Sequence, residues 1–152
     1  MDKTLQDPLQ AGRERAQAAG LPYAGAVTPT EAHAALTRDP KTKLIDVRTR
    51  AEWEWVGRVP QASLIEWNDW PEGRRNPAFL DQLRAQVPDP ETPVLFLCRS
   101  GARSHNAAAL AAQAGYRNAF NVVEGFEGNK NAAGQRSSVG GWRHAGLPWV
   151  QG

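Results

Sequence analysis

The chain has 152 residues, room for one domain, because a core built from many fewer than about 70 residues rarely holds alone. Its 41% hydrophobic and 22% charged content excludes wholesale disorder, and with no apolar run near the roughly 18 residues that a bilayer span needs, no membrane partner is expected. The net charge is +2, but residues 1–97 carry 12 basic and 14 acidic side chains while residues 98–152 carry 6 and 2; that local surplus, with no Lys/Arg block, points to a small anion and away from nucleic acid.

Residues 1–26 read as an N-terminal extension, with a helix from about Leu9 to Ala19 that Gly20-Leu21-Pro22 ends. No apolar h-region opens the chain, so no secretory signal is read and a cytoplasmic location is expected. A single domain is expected over residues 27–150. Thr28-Pro29-Thr30-Glu31 is a capping box with proline at the first helical position, predicting a helix to about Thr37. Lys43 to Val47 reads as a short buried strand. Thr49-Arg50-Ala51-Glu52 is a second capping box, opening a helix to about Val56 that Gly57 stops. Ala62 to Glu66 reads as a strand, and residues 67–76 as a polar loop containing Trp67 and Trp70. Asn76-Pro77 repeats the cap-plus-proline signal and predicts a helix from Pro77 to Gln86.

Pro93 to Leu97 is the most apolar stretch, and its length and flanking prolines favour a buried strand. Ser104 to Ala114 predicts an Ala-rich helix ended by Gly115, and Ala119 to Val123 a last strand. Residues 129–141 have no periodicity and read as an inserted loop; Trp142 and Trp149 are expected to anchor a packed tail. Short apolar strands alternating with helices predict an α/β fold, with a mostly parallel sheet and helices on both faces.

In such sheets ligands sit beyond the carboxyl ends of the strands. Here the most apolar strand runs into Cys98-Arg99-Ser100-Gly101-Ala102-Arg103-Ser104 and then a helix. A tight loop before a helix N-terminus aims several backbone N–H groups at one spot, and the helix dipole adds positive potential. Arg99 and Arg103 add two permanent charges. This setting favours a thiolate at Cys98 and cradles an anion or a charged sulfur adduct. A lone free cysteine is more often a small buried hydrophobe, but two arginines and a glycine make a poor core. Cys98 is the only cysteine, so no intrachain disulfide forms and a reducing compartment is the simple reading. No Cys/His spacing points to zinc, and neither metal nor organic cofactor is expected.

With these residues in view, the chain resembles the single-domain rhodaneses, the thiosulfate sulfurtransferase-like family. The resemblance rests on Leu44-Ile45-Asp46-Val47-Arg48 with Glu52, on Gly57-Arg58-Val59-Pro60-Gln61-Ala62, on Val94 to Leu97 leading into the Cys98 loop, and on Gly-Leu-Pro at 146–148. It implies a rhodanese-like α/β fold with a mostly parallel five-stranded sheet, and a persulfide carried on Cys98, held by backbone N–H groups of residues 99–103. The implied donor is a small anion such as thiosulfate, whose oxygens Arg99 and Arg103 can pair. The implied acceptor is cyanide or a thiol, and a protein donor or acceptor also fits.

Two other classes stay open. A Cys-dependent phosphatase or arsenate reductase of related fold uses Cys-x5-Arg, whereas Cys98 to Arg103 is Cys-x4-Arg, a smaller cradle, and the loop holds no obvious general acid. A persulfide carrier without its own turnover is the other. Asp46 and Arg48 end a strand on the Cys98 side, either shaping the rim or bracing a turn with Arg48 reaching Glu52. Ser104 is a further supporting candidate. His105 is expected to face solvent, and His33 and His144 show no partner in the sequence. The loop after the last strand departs from the family pattern by delaying Gly140-Gly141-Trp142, and Lys130 or Arg136 within it is expected to influence acceptor access.

Overall fold

A computed structural model describes residues 7–151. The first six residues of the expected extension, and Gly152 of the expected tail, lie outside the described residues. The elements in chain order are α1 (Gln10–Ala19), β1 (Gly25–Val27), α2 (Pro29–Arg38), β2 (Lys43–Asp46), α3 (Arg50–Trp55), β3 (Ser63–Leu64), α4 (Phe79–Gln86), β4 (Val94–Leu97), α5 (Ala102–Gln113) and β5 (Ala119–Val122). The five strands form one sheet in the order β1-β5-β4-β2-β3. Every pairing is parallel.

β4 lies at the centre, paired with β2 and β5. That position explains its unbroken apolar sequence, since both faces are covered. Alternate side chains feed two cores. Val94, Phe96 and Cys98 join Phe79 and Leu83 of α4 and Ala107, Ala108 and Ala111 of α5 on one face. Leu95 and Leu97 join Ala32 and Ala35 of α2, Phe120, Phe126 and Trp142 on the other.

Both capping boxes form as the sequence predicts. Thr28 accepts from the Glu31 N–H and Thr49 from the Glu52 N–H, while each glutamate reaches back to its cap. α4 begins two residues later than the Asn76-Pro77 signal implies. Asn76 Oδ1 accepts from the Ala78 N–H at 3.0 Å, and this closes a turn ahead of the helix. α5 begins two residues earlier than expected, at Ala102. Gly101, at φ 106°, takes the left-handed cap position, so Ala102 and Arg103 belong to the first turn and not to the loop.

β1 is absent from the sequence reading and straddles the expected division between residues 26 and 27. Gly25, Ala26 and Val27 pair with Phe120, Asn121 and Val122 of β5. Three small residues carry no alternation of their own, and their strand state comes from the partner.

Candidate active site

β4 delivers Cys98 to the carboxyl edge of the sheet, and the side chain is 1% exposed. Two possible donors lie within hydrogen-bond distance of its sulfur. The Gly101 N–H donates at 3.1 Å and the Ser104 hydroxyl lies at 3.2 Å. Ser104 sits in the first turn of α5, fully buried.

The backbone of this loop is held from behind. The Phe126 N–H donates to the Cys98 carbonyl at 2.8 Å, and the Glu127 and Gly128 N–H groups donate to the Arg99 carbonyl at 2.9 and 3.2 Å. Both carbonyls are thus drawn toward the segment after β5, while the Gly101 N–H faces the sulfur. Gly125 is needed for this contact. Its φ is +65°, and a Cβ there would lie 2.5 Å from the Cys98 carbonyl oxygen. Glu124, itself at φ 68°, accepts from the Gly141 N–H at 3.0 Å and ties the far end of the inserted loop to the same corner.

Two ion pairs flank the loop, and their partners correct the sequence reading. Arg48 does not reach Glu52. Arg48 and Asp46 are both fully enclosed, with Nη2 to Oδ2 at 2.7 Å and Nη2 also donating to the Gly57 carbonyl at 2.7 Å. The guanidinium lies 4.4 Å from the Phe126 ring centroid. A pair so enclosed braces the β2 end and the segment after β5, and it is not a rim. Glu52 instead receives Arg103 in a two-pronged bridge at 2.7 and 2.9 Å, with Thr49 on the same carboxylate. Burial pushes the Glu52 carboxyl up, but the hydrogen bonds and charge of Arg103, with those of Thr49, outweigh it and hold the group down at about 2. The Arg103 charge, read as open for an anion, is therefore already matched by Glu52.

A cleft of about 650 Å³ opens beside the loop. Arg99 and Arg103 form one wall, and Trp55, Trp70, Glu127 and Arg136 others. Trp55 and Trp70 are 79% and 69% exposed. Arg99 and Arg136 have no carboxylate partner among the described residues; Arg136 Nη1 donates to the Gly128 carbonyl at 2.7 Å, which aims it from the inserted loop. Lys130, the other candidate of that loop, is exposed and not in the wall. A depression of about 680 Å³ beside β3 is slightly larger, but no residue of the Cys98 loop lines it. Trp67 packs edge-on against Phe79 and belongs to the core.

His105 is half-buried, not solvent-facing, with Nδ1 at 2.7 Å from the Tyr23 hydroxyl. His33 packs edge-on against Trp142. Asn121, unnoticed in the sequence, sits buried on β5 and lies 2.6 Å from the Ser104 hydroxyl. Its one signal is a lone amide in an apolar strand. Burial pushes the Tyr23 hydroxyl up, against the Asn121 hydrogen bond, so the phenol keeps its proton. Among the described residues no group of His, Cys, Asp or Glu is placed to hold a metal ion, and no helix is long and apolar enough to cross a membrane.

Similarity to known proteins follows the geometry. The crystal structure of Rv0390 from M. tuberculosis is 44% identical, covers 86% of this chain and 99% of that chain, and superimposes with a TM-score of 0.78. An uncharacterized protein of Rickettsia conorii is 34% identical over 126 residues, covering 81% of this chain and 94% of its own length. The polysulfide-sulfur transferase homodimer of Wolinella succinogenes, at 22% identity over 100% of this chain and 95% of that one, shares the fold with a TM-score of 0.58. The model of the rhodanese-like domain matches residues 28–132, and the chain belongs to that family.

Proposed function

We propose that this chain is a sulfurtransferase that carries sulfane sulfur as a persulfide on Cys98, taking it from a small anionic donor of the thiosulfate type and passing it to a thiol or to cyanide. The observation that carries this reading is the sulfur's position, at the mouth of a helix and within hydrogen-bond reach of the Gly101 N–H and the Ser104 hydroxyl. Such donors stabilise negative charge on sulfur without supplying a proton for good.

The steps balance without a cofactor. The Cys98 thiolate attacks the outer sulfur of thiosulfate, a new S–S bond forms, and the old one breaks with its electron pair leaving on sulfite. The acceptor thiolate or cyanide then attacks the outer sulfur of the persulfide, and the Cys98 thiolate departs. The outer sulfur would lie among the N–H groups of the loop formed by Arg99, Ser100, Gly101, Ala102 and Arg103. Arg99 and Arg136, the cleft guanidiniums without carboxylate partners, would receive the donor's oxygens. Arg103, its charge matched by Glu52, would fix the shape of the cleft wall. A free thiol in this role suits a reducing compartment such as the cytoplasm.

The shorter Cys-x4-Arg spacing, a smaller cradle, weighs against a phosphatase. The test is thiocyanate formation from thiosulfate and cyanide by wild type and Cys98→Ala, with a phosphate ester as control. Turnover in wild type that vanishes in a folded Cys98→Ala variant is the expected result. Residual turnover in the variant, or phosphate release by wild type, overturns the reading.

A further inference from the structure

A chain of buried polar groups leads away from the Cys98 sulfur. Ser104 Oγ is 3.2 Å from the sulfur and 2.6 Å from Asn121 Oδ1. Asn121 Nδ2 is 3.4 Å from the Tyr23 hydroxyl and 3.3 Å from the Gly101 carbonyl. The Tyr23 hydroxyl is 2.7 Å from His105 Nδ1. The Ser104 hydroxyl has one proton and two acceptors competing for it.

Two hydrogen-bonded arrangements of this chain can be drawn on the same heavy atoms. In the first, Ser104 donates to Asn121, Asn121 donates to Tyr23 and the Gly101 carbonyl, and Tyr23 donates to His105 Nδ1. The lone pair of Ser104 then faces the sulfur and suits a thiol, whose S–H donates to it. In the second, the Asn121 amide is turned over. Tyr23 donates to Asn121 Oδ1, Asn121 Nδ2 donates to Ser104 Oγ, and Ser104 donates to the sulfur. His105 then carries its proton on Nδ1, a change of tautomer that a half-buried ring can make through solvent. This arrangement suits a thiolate, at the cost of the Gly101 contact, where the amide oxygen would stand about 3.3 Å from a carbonyl that it cannot bond.

We infer that Tyr23 and Asn121 are positioning residues for the Cys98 sulfur, acting through Ser104: they allow its hydroxyl to turn toward the sulfur when the thiol ionises. Without the Tyr23 hydroxyl the turned amide would aim an unmatched oxygen at a phenyl ring, and Ser104 would stay committed to Asn121. Tyr23 precedes residues 28–132, the span that the family model matches, so the segment before it completes the site. The inference rests on Cys98 being the reactive sulfur, as proposed above.

The experiment is a double-variant cycle read by iodoacetamide alkylation of Cys98 at neutral pH, followed by intact mass. It requires neither donor nor acceptor, so a chain that transfers no sulfur still reports on this inference. Tyr23→Phe and Ser104→Ala are each expected to slow alkylation about threefold to tenfold, the worth of roughly one ordinary hydrogen bond. Both are conservative changes to buried side chains, and unfolding curves verify that the variants fold. The double variant is expected to react no more slowly than Ser104→Ala, since no hydroxyl remains to orient. A Tyr23→Phe rate equal to that of wild type overturns the inference. So does a Tyr23→Phe loss that persists undiminished in the Ser104→Ala background, because that is the pattern of a merely structural residue.

Discussion

The carboxylate of Glu52 caps the first turn of α3 and clamps Arg103, a partner 51 positions along the chain. The capping role is legible from Thr49-x-x-Glu52, because both members lie within one helical turn. The clamp is not, since nothing local distinguishes Arg103 from Arg48 as the partner. The clamp has a consequence for acid stability. The folded-state value of Glu52 is about 2 against an ordinary 4.5. A carboxyl depressed on folding contributes stability that is fully present above 4.5 and is lost as pH falls toward about 2. Glu52→Gln removes the titrating group, so the stability gap between wild type and variant is expected to be largest near neutrality and to shrink through that window. Urea unfolding at a series of pH values measures it, and a gap independent of pH would show that the bridge carries no such linkage.

Among the elements, the Cys98 loop was legible because its parts are contiguous: an apolar strand, a cysteine, a glycine and a helix follow one another. The same holds for α2 and α3, whose capping boxes are local. β1 and the Ser104–Asn121–Tyr23 contacts were not, because each exists only once β5 is in place; Asn121 and Tyr23 are 98 positions apart. What fixes the loop is also remote in sequence, namely the turn after β5. Gly125→Ala tests this. The added methyl would stand 2.5 Å from the Cys98 carbonyl oxygen and 2.6 Å from that of Arg99, at a φ of +65° that disfavours any side chain. Backbone cannot swing aside as a flexible side chain does. We expect a loss of about 1–3 kcal/mol in unfolding free energy. Thiocyanate formation is expected to fall by a larger factor than stability alone explains, because the displaced atoms belong to the loop that aims the N–H groups. Activity unchanged in a folded variant would mean that the loop holds its shape without this contact.

For the whole molecule, the segment before the family span is part of the sheet's support. α1 lies so close to β1 that a Cβ on Gly12 would meet the Val27 side chain at 2.5 Å and the Ala26 carbonyl at 3.0 Å. Arg15 adds hydrogen bonds to the Ala26 carbonyl and to Glu31 of α2. β1 in turn holds β5, with Ala26 opposite Asn121, so the helix backs the strand that carries the polar chain to Cys98. Gly12→Val separates this close approach from helix propensity, because the two act in opposite directions. Valine is the better helix former by a few tenths of a kcal/mol, so an independent α1 would gain. A packed α1 would lose about 1–3 kcal/mol to overpacking, roughly 3–10 °C in Tm for a domain of this size. Gln17→Val, at an exposed position of the same helix, carries a small propensity cost without the clash. A thermal melt that falls by several degrees for Gly12→Val and by much less for Gln17→Val would make α1 an integral layer of the domain. A Gly12→Val melt that does not fall would leave it an appendage, and the close approach of α1 to β1 would then contribute nothing to holding the strand beside Asn121.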